Sequence, residues 1–578
     1  MSNHQSKQTN QSGILQSLPE PIQDVSNALM DSGLGTMLLG LVLMAIAMSL
    51  FGNSKKGKIT SGRFAGGAEK RKAAAIGRQQ RKQRKPNKVA LKAGNLDIPN
   101  AQQSLAVAGA PDSGKTFSVI DPAIRSAIEQ GFPVVVYDFK GSQLEAHAAW
   151  AAAQGYEVSV LAPGQPYTGV CNPLDFLNDG TAALMASQLA QVLQKNTQRD
   201  GGRHDDDFFT SAGTNLVEAV MLLAKLTPYP DLLMASKILN LPELPARIRQ
   251  GNESGWIPAW TMTSLSQLLS SEDADKQLAG IVATAQRTFK TFTGKQLVAS
   301  FCGETTIPLK LKGKQILFLQ VDIQKRDAVS PLLAAVLHLI VTHNFAQPRK
   351  EPLIIALDEL PTLYLPDLPK WINEFRSYGF VSLLGYQNFA QLQHMYGKDL
   401  SRALFAACGT KVFFNPKDRE TAAEFSSYLG EKEVTIHTRS RGRGANNTRS
   451  EQIQKVPLLT TDQILKLDQG ECVFINSAYK GSNEASVPLR LKVKISPEEI
   501  QRQQRSEEQW HSQVRDRLIA RVQGNQRSIN LDDESELRQQ MAERLFPLSP
   551  TTNGTTVPTG RSSYSTDITE DEFDEVFR

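Results

Sequence analysis

Apolar positions along this chain fall into short uninterrupted runs: "SLAVA" at 104–108, "FPVVVYD" at 132–138, "QILFLQV" at 315–321, Leu353–Leu357 within "PLIIALDELPTL", "FVSLLGYQ" at 380–387, "TKVFFN" at 410–415 and "ECVFIN" at 471–476. Continuous runs of this length suit strands covered on both faces. Stretches such as "KTFSVIDPAIRSAIEQ", with apolar residues at helical spacing up to Gly131, lie between them. The alternation predicts an α/β, doubly wound, mainly parallel sheet whose ligand sits at the carboxyl ends of its strands. Residues 180–300 break the pattern with helical stretches, among them "TAALMASQLAQVLQ" and "TSAGTNLVEAVMLLAKL".

Ahead of the sheet, Ser32 to Ser54 form 23 residues without a charge. As a helix they reach about 34 Å, against roughly 30 Å of bilayer hydrocarbon, which predicts one membrane span. The residues before it hold Lys7 against Glu20, Asp24 and Asp31, so the basic start of a cleaved signal is missing. Residues 55–92 then carry 14 Lys or Arg against Glu69 alone, a net +13; with the whole chain at +5, everything else sums to −8. Positive flanks stay inside, so the chain from Lys55 onward is expected in the cytoplasm and residues 1–31 outside. Attraction to anionic membrane lipids, about 1 kcal/mol per basic residue near the surface, explains the block. Contact with nucleic acid is the alternative, disfavoured because few aromatics interleave with the charges. Cys171, Cys302, Cys408 and Cys472 are widely spaced and signal neither a disulfide framework nor a zinc site.

"AGAPDSGKTF" at 108–117 supplies the chemistry. It follows a strand and opens a helix, the context a phosphate-binding loop requires. Gly109, Ala110, Pro111, Asp112, Ser113 and Gly114 form the cradle, Lys115 neutralises the outer phosphates, and the Thr116 hydroxyl is a ligand for Mg²⁺. A cradle alone binds without hydrolysing. Asp358 and Glu359, at the end of the Leu353–Leu357 run, complete it: Asp358 holds the Mg²⁺ through water and Glu359 orients and deprotonates the attacking water. Gln387 ends another strand, either as a sensor of the terminal phosphate or as an ordinary polar strand end. The acidic pair favours ATP over GTP. "NPKD" at 415–418 has Pro416 where a guanine-reading motif needs lysine.

Three further segments are read from composition. "HDDD" at 204–207 charges the start of the following helix favourably. "TRSRGRGANNTRS", with Arg439, Arg441, Arg443 and Arg449, suits either a mobile loop gripping a phosphate backbone or a solvated linker. Ser496, Pro497 and Glu499 begin a charged helix running to about Val522, after which disorder is expected apart from one helix near 533–545.

Taken together, "VVVYDFKGSQLE", "CNPLDFL", "LDELPTL", "FRSYGFVSLLGYQNFAQLQHMYG", "CGTKVFFNPKDRETAAEFSSYLG" and "VPLLTTDQILKLDQGECVFIN" resemble, in order, the conjugative coupling proteins of type IV secretion, the TraG/TraD-like group. The resemblance runs from about Ser104 to about Asn476. It implies a RecA-like P-loop ATPase core with an all-helical insertion, working as a homo-hexamer at the bacterial inner membrane with ATP and Mg²⁺. Lys115 with Thr116 becomes the first nucleotide motif, Asp358 with Glu359 the second, Gln387 the third, and Arg376 in "FRSYG" the arginine finger supplied by a neighbouring subunit. It also implies single-stranded DNA with its relaxase as cargo and type IV secretion channel proteins as partners. The acidic, aromatic end "TDITEDEFDEVFR" becomes a hook for a basic processing-complex protein. Two other functions fit the same fold: a docking receptor for secreted protein effectors with ATP as switch, and a chromosomal double-stranded DNA pump. Family members usually carry two membrane helices where this sequence predicts one.

The expected organisation is an extracytoplasmic tail (1–31), a transmembrane helix (32–54), a basic juxtamembrane linker (55–95), an ATPase core in two parts (96–180 and 301–495) around an all-helical domain (181–300), and a charged helix with a disordered acidic tail (496–578).

Overall fold

Each apolar run becomes a strand. In chain order the strands are β1 (Leu91–Ala93), β2 (Leu96–Ile98), β3 (Leu105–Ala108), β4 (Val134–Asp138), β5 (Glu157–Leu161), β6 (Gln315–Gln320), β7 (Leu353–Leu357), β8 (Phe380–Tyr386), β9 (Thr410–Phe413), β10 (Glu431–Arg441), β11 (Asn447–Pro457), β12 (Glu471–Ile475) and β13 (Leu489–Lys492). This computed structural model describes residues 62–177, 182–197, 207–271, 274–290, 292, 294–441, 447–525 and 531–548. The tail at 1–31, the expected span at 32–54, residues 204–206, Arg443 and the acidic end lie outside the described residues. Among the described residues no helix is long and apolar enough to cross a membrane.

Nine strands form one sheet in the order β13-β12-β9-β3-β8-β7-β4-β6-β5. From β9 to β5 every pairing is parallel, whereas β12 runs antiparallel to β9 and β13 antiparallel to β12. The central strands β3, β4, β7 and β8 are buried along their whole length, which is why their sequences do not alternate. On one face Val107, Val136, Phe318, Ala356 and Leu383 share a core with Ile120, Ile124, Leu144 and Ala148. Those four come from the helical segment after β3, Thr116–Ile120 continuing into Asp121–Glu129, and from Ser142–Ala153. On the opposite face Val135, Leu317, Leu319, Ile355 and Leu384 are equally buried.

Between β5 and β6, among the described residues, the chain is helical and contains no strand, with helices including Ala183–Thr197, Asp207–Lys225, Leu232–Leu239, Leu244–Glu253 and Asp275–Lys290. Helix Arg326–Asn344, after β6, packs against Ala183–Thr197.

Part of the segment expected to be a linker is ordered. Gly67–Gln83 is a helix that buries Ala73, Gly77 and Gln80 while Lys70, Arg71, Lys72, Arg78 and Lys82 are exposed. Its first turn is held by Glu69, which accepts from the Gly66 amide at 2.9 Å and pairs with Arg63 at 2.8 Å. Arg81 meets Asp97 at 2.9 Å and Gln80 donates to Asn100 at 2.6 Å, tying the helix to the β1–β2 hairpin and the turn after it.

Beyond β13 the chain forms a two-part strap. Helix Pro497–Gln509 and the wide turn Trp510–Arg515 run over Ser142–Ala153, with Ser506 Oγ donating to the Glu145 carbonyl at 3.0 Å and Trp510 meeting Tyr167 edge-on at 5.4 Å, and helix Asp516–Asn525 follows, Arg521 donating to the Val158 carbonyl of β5 at 3.2 Å. Helix Leu531–Leu545 then docks on the all-helical region through Arg538, whose Nη2 lies 2.6 Å from Asp231 Oδ2. Phe546, fully buried, packs on Trp256, and its carbonyl accepts from Arg247.

Residues Gly430–Leu458, with Gly62, make a separate unit among the described residues, in which β10 and β11 pair only with each other. The Arg-rich stretch read as loop or linker is therefore largely a β-ribbon. Eleven residues on each strand are in antiparallel register, from Glu431 opposite Pro457 to Arg441 opposite Asn447.

Candidate nucleotide site

Strand register sets the geometry. Ala108 of β3 stands beside Tyr386 of β8, and Leu384 of β8 beside Leu357 of β7, so three carboxyl ends align at one edge of the sheet. The loop after β3, the carboxylates after β7 and Gln387 after β8 leave that edge together.

Neighbouring strands pin the loop at its start: the Gly109 amide donates to the Tyr386 carbonyl at 3.1 Å and the Ala110 amide to the Asn415 carbonyl at 3.0 Å. Pro111 and Asp112 make the turn, with Asp112 at φ +62° and Gly114 at φ +97°. A Cβ on Gly109 would lie 2.5 Å from Ser113 Oγ and 2.7 Å from Phe414 Cβ; one on Gly114 would lie 2.9 Å from the Gly470 amide nitrogen. Close approach requires glycine at both, and at Gly114 the positive φ requires it as well. Gly470, just before β12, donates its amide to the Ser113 carbonyl at 2.9 Å and closes the cradle from the other side.

Lys115 points to the carboxylates. Its Nζ donates to the Asp358 carbonyl at 3.1 Å and lies 3.8 Å from both Asp358 Oδ1 and Glu359 Oε2. Thr116 Oγ1 donates to Asp358 Oδ2 at 2.7 Å. Gln387 Nε2 donates to Glu359 Oε2 at 3.3 Å, and Gln391, in the first turn of the next helix, donates to Gln387 Oε1 at 3.3 Å. Lys115 and Glu359 are 7% and 6% exposed, so one cation and two carboxyl groups are held with little water. Burial pushes the Asp358 carboxyl above its ordinary range, and Lys115 and the Thr116 hydroxyl pull it part of the way back.

The residues fit a divalent cation with a phosphate. Asp358 Oδ1 and Ser113 Oγ are buried without a hydrogen-bond partner, and a hydroxyl beside a carboxylate is the hard-oxygen set that Mg²⁺ accepts. The structure thus brings together Gly109, Ala110, Pro111, Asp112, Ser113, Gly114, Lys115, Thr116, Asp358, Glu359 and Gln387. Arg376 does not join them. It is exposed, in the turn Phe375–Tyr378 that precedes β8, so the length of that strand puts it roughly 20 Å away at the amino edge.

Two residues the sequence reading passed over shape the site. Gly385 is packed so closely under Asp358 that a Cβ would overlap the Asp358 carbonyl. Gly470 closes the cradle. Neither announces itself locally, because the constraint in each case comes from a distant strand.

Residues 61–482 match the profile of the family described as Type IV secretory system Conjugative DNA transfer. The coupling protein TraD of Escherichia coli (strain K12) is 25% identical over 194 residues, 32% of this chain and 27% of TraD. The conjugal transfer protein TraG of Agrobacterium fabrum (strain C58 / ATCC 33970) is 23% identical over 382 residues, 62% of this chain and 57% of TraG. The matched part is thus about a quarter of TraD and a little over half of TraG. Among solved structures, the plasmid coupling protein TrwB with the ATP analogue ADPNP superposes with a TM-score of 0.57 at 18% identity, covering 76% of this chain and 95% of that one. TrwB with ADP and Mg²⁺ gives 0.55 at the same identity and coverage. The likeness shows that the α/β core shares its fold with TrwB, and the profile match, spanning most of the chain, identifies it as a member of the type IV secretory system conjugative DNA transfer family.

Proposed function

We propose that this chain is a membrane-anchored ATPase that recruits relaxase-bound single-stranded DNA and passes it to a type IV secretion channel during conjugation. One observation carries the reading: Lys115, Thr116, Asp358, Glu359 and Gln387, drawn from three strand ends, meet within hydrogen-bond or ion-pair distance. ATP with Mg²⁺ is the ligand assigned to the site, supported by the donor set and by the ADP, Mg²⁺ and ADPNP complexes of TrwB.

Thr116 and Asp358 would hold the metal, which supplies charge neutralisation across the outer phosphates. Lys115, now spread between two carboxyl groups, turns to those phosphates and frees Glu359. Glu359, steadied by Gln387, accepts the proton of the attacking water. Arg376, remote from its own loop, reaches a nucleotide only in another copy of the chain, in keeping with a homo-hexameric ring and a finger acting in trans. The segment 32–54 anchors the ring in the bacterial inner membrane, its basic flank lies on anionic lipid, and the acidic end takes a basic processing-complex protein.

The test is ATP turnover by the full-length chain in detergent or nanodiscs, with and without single-stranded DNA. Stimulation by single-stranded DNA that disappears in Lys115→Ala supports the reading. Turnover indifferent to DNA, or stimulated by duplex alone, removes it.

A further inference from the structure

The β10–β11 ribbon has a segregated charge pattern. Toward its base opposite charges share a register position, Glu433 opposite Lys455. Toward its tip the pairing is like with like: Arg439 stands opposite Arg449, and Arg441 follows two residues on. No acidic residue occurs between Thr438 and Ser450. Directly opposed like charges destabilise an antiparallel pair, and an isolated two-stranded ribbon is marginal in water to begin with. A strand pair that places its repulsion at the far end is suited to an anion arriving there.

We propose that the distal ends of β10 and β11 form a nucleic-acid contact in which Arg439, Arg441 and Arg449 grip the phosphate backbone. The inference rests on the DNA-handling function proposed above and adds to it the element that touches the strand. Guanidinium groups match phosphate in a fork geometry that lysine lacks. Eleven residues of β-strand reach roughly 35 Å, long enough to carry the contact well away from the ribbon's base. A phospholipid surface is the competing anion. It is disfavoured because the exposed apolar residues Val434, Ile436 and Ile453 lie nearer the base. The distal strand positions, Thr438 to Arg441 and Asn447 to Glu451, contain no apolar residue to insert, and interfacial binding needs apolar burial beside basic charge.

The test is equilibrium binding of the full-length chain to a fluorescent single-stranded oligonucleotide across a salt series, with a duplex and phosphatidylserine vesicles as parallel probes. The variants are Arg439→Gln/Arg441→Gln/Arg449→Gln, the same three positions changed to Lys, and Arg449→Glu alone. Arg449→Glu faces Arg439 with an opposite charge, so it preserves the ribbon while lowering its charge. Expected for the triple Gln variant is a fall in the log K against log salt slope of about 2 and at least a tenfold loss of affinity near 0.1 M salt. Lys variants should keep most of the slope, and Arg449→Glu should weaken binding with an unchanged melting temperature. Wild-type affinity and slope in the triple Gln variant would overturn the proposal. So would a loss confined to vesicles, which would make the ribbon a lipid contact. A wild-type chain that binds neither oligonucleotide nor duplex would overturn the functional reading along with it.

Discussion

Replacing Arg538 tests whether the last described helix is a docked part of the fold or a loosely attached tail. Arg538 is 5% exposed and Asp231 1%, and the guanidinium donates to Asp231 from Nε at 3.2 and 3.1 Å and from Nη2 at 2.6 Å. The same Arg538 also lies over the Tyr229 ring at 4.8 Å and bonds Glu534 through Nη1. Removing one partner of a buried pair costs about 3–5 kcal/mol, because the other charge is left without compensation. Asp231 retains one amide partner as N-cap of helix Leu232–Leu239, accepting from Met234 at 2.9 Å, which places Arg538→Ala near the lower figure, about 3 kcal/mol. At 1.36 kcal/mol per tenfold, that is a rise of roughly 100-fold in local opening of Leu531–Leu545. Hydrogen–deuterium exchange resolved by peptide reads it: the 531–545 amides should speed up by about that factor while β7 and β8 exchange as in wild type. The double variant Asp231→Asn/Arg538→Met should recover at least half of the loss, since a neutral, still capped pair leaves no bare charge. The reasoning is refuted if Arg538→Ala leaves the helix as protected as before, or if the double variant opens as readily as the single one.

Other perturbations have equally definite outcomes. Gly385→Ala drives a methyl into the Asp358 carbonyl, so kcat should fall by about 100-fold for a displacement near 1 Å, at a stability cost of about 1–3 kcal/mol seen by thermal melting. If Arg376 acts in trans as proposed, Arg376→Ala should lower ATP turnover by about 10³ while leaving nucleotide affinity and melting temperature in place, measured by steady-state ATPase and calorimetric binding. His338 is buried against Trp371, with Nε2 3.4 Å from Gln188 Oε1, and burial pulls its pKa from 6.5 down to about 4. The unfolded imidazole protonates first, so this contribution is complete above about pH 6.5 and drains away towards pH 4, a loss of about 3 kcal/mol that His338→Leu should flatten in urea titrations across that window.

What the sequence disclosed follows from where each constraint arises. Runs such as Leu353–Leu357 and Phe380–Tyr386 are apolar at every position because both faces of the central sheet are covered, and they were legible at once. β5 begins with an exposed Glu157 and β13 exposes Arg490 and Lys492 at a sheet edge, so neither carries that signal. The ribbon hides in its composition: Arg, Gly, Asn and Ser suggest a loop, and the alternating β-branched residues Val434, Ile436 and Thr438 are too sparse to outweigh them. In Gly67–Gln83 the density of Lys and Arg masks a narrow small-residue stripe, Ala73 and Gly77, by which the helix packs. For the site, Lys115, Thr116, Asp358 and Glu359 stood out because phosphate chemistry fixes their types and spacing. Gly385, Gly470 and the Arg538–Asp231 pair did not, since their roles depend on segments 27 to 356 residues away in the chain.

The central claim is that Glu359 turns a nucleotide-binding cradle into a hydrolytic one, and steady-state ATP turnover of Glu359→Gln beside its ATP affinity measures this most directly. Loss of a general base at this position should lower turnover by about 10²–10⁴ while the amide, able to keep a hydrogen bond with Gln387, leaves ATP binding close to wild type. Turnover undiminished in Glu359→Gln would contradict the account.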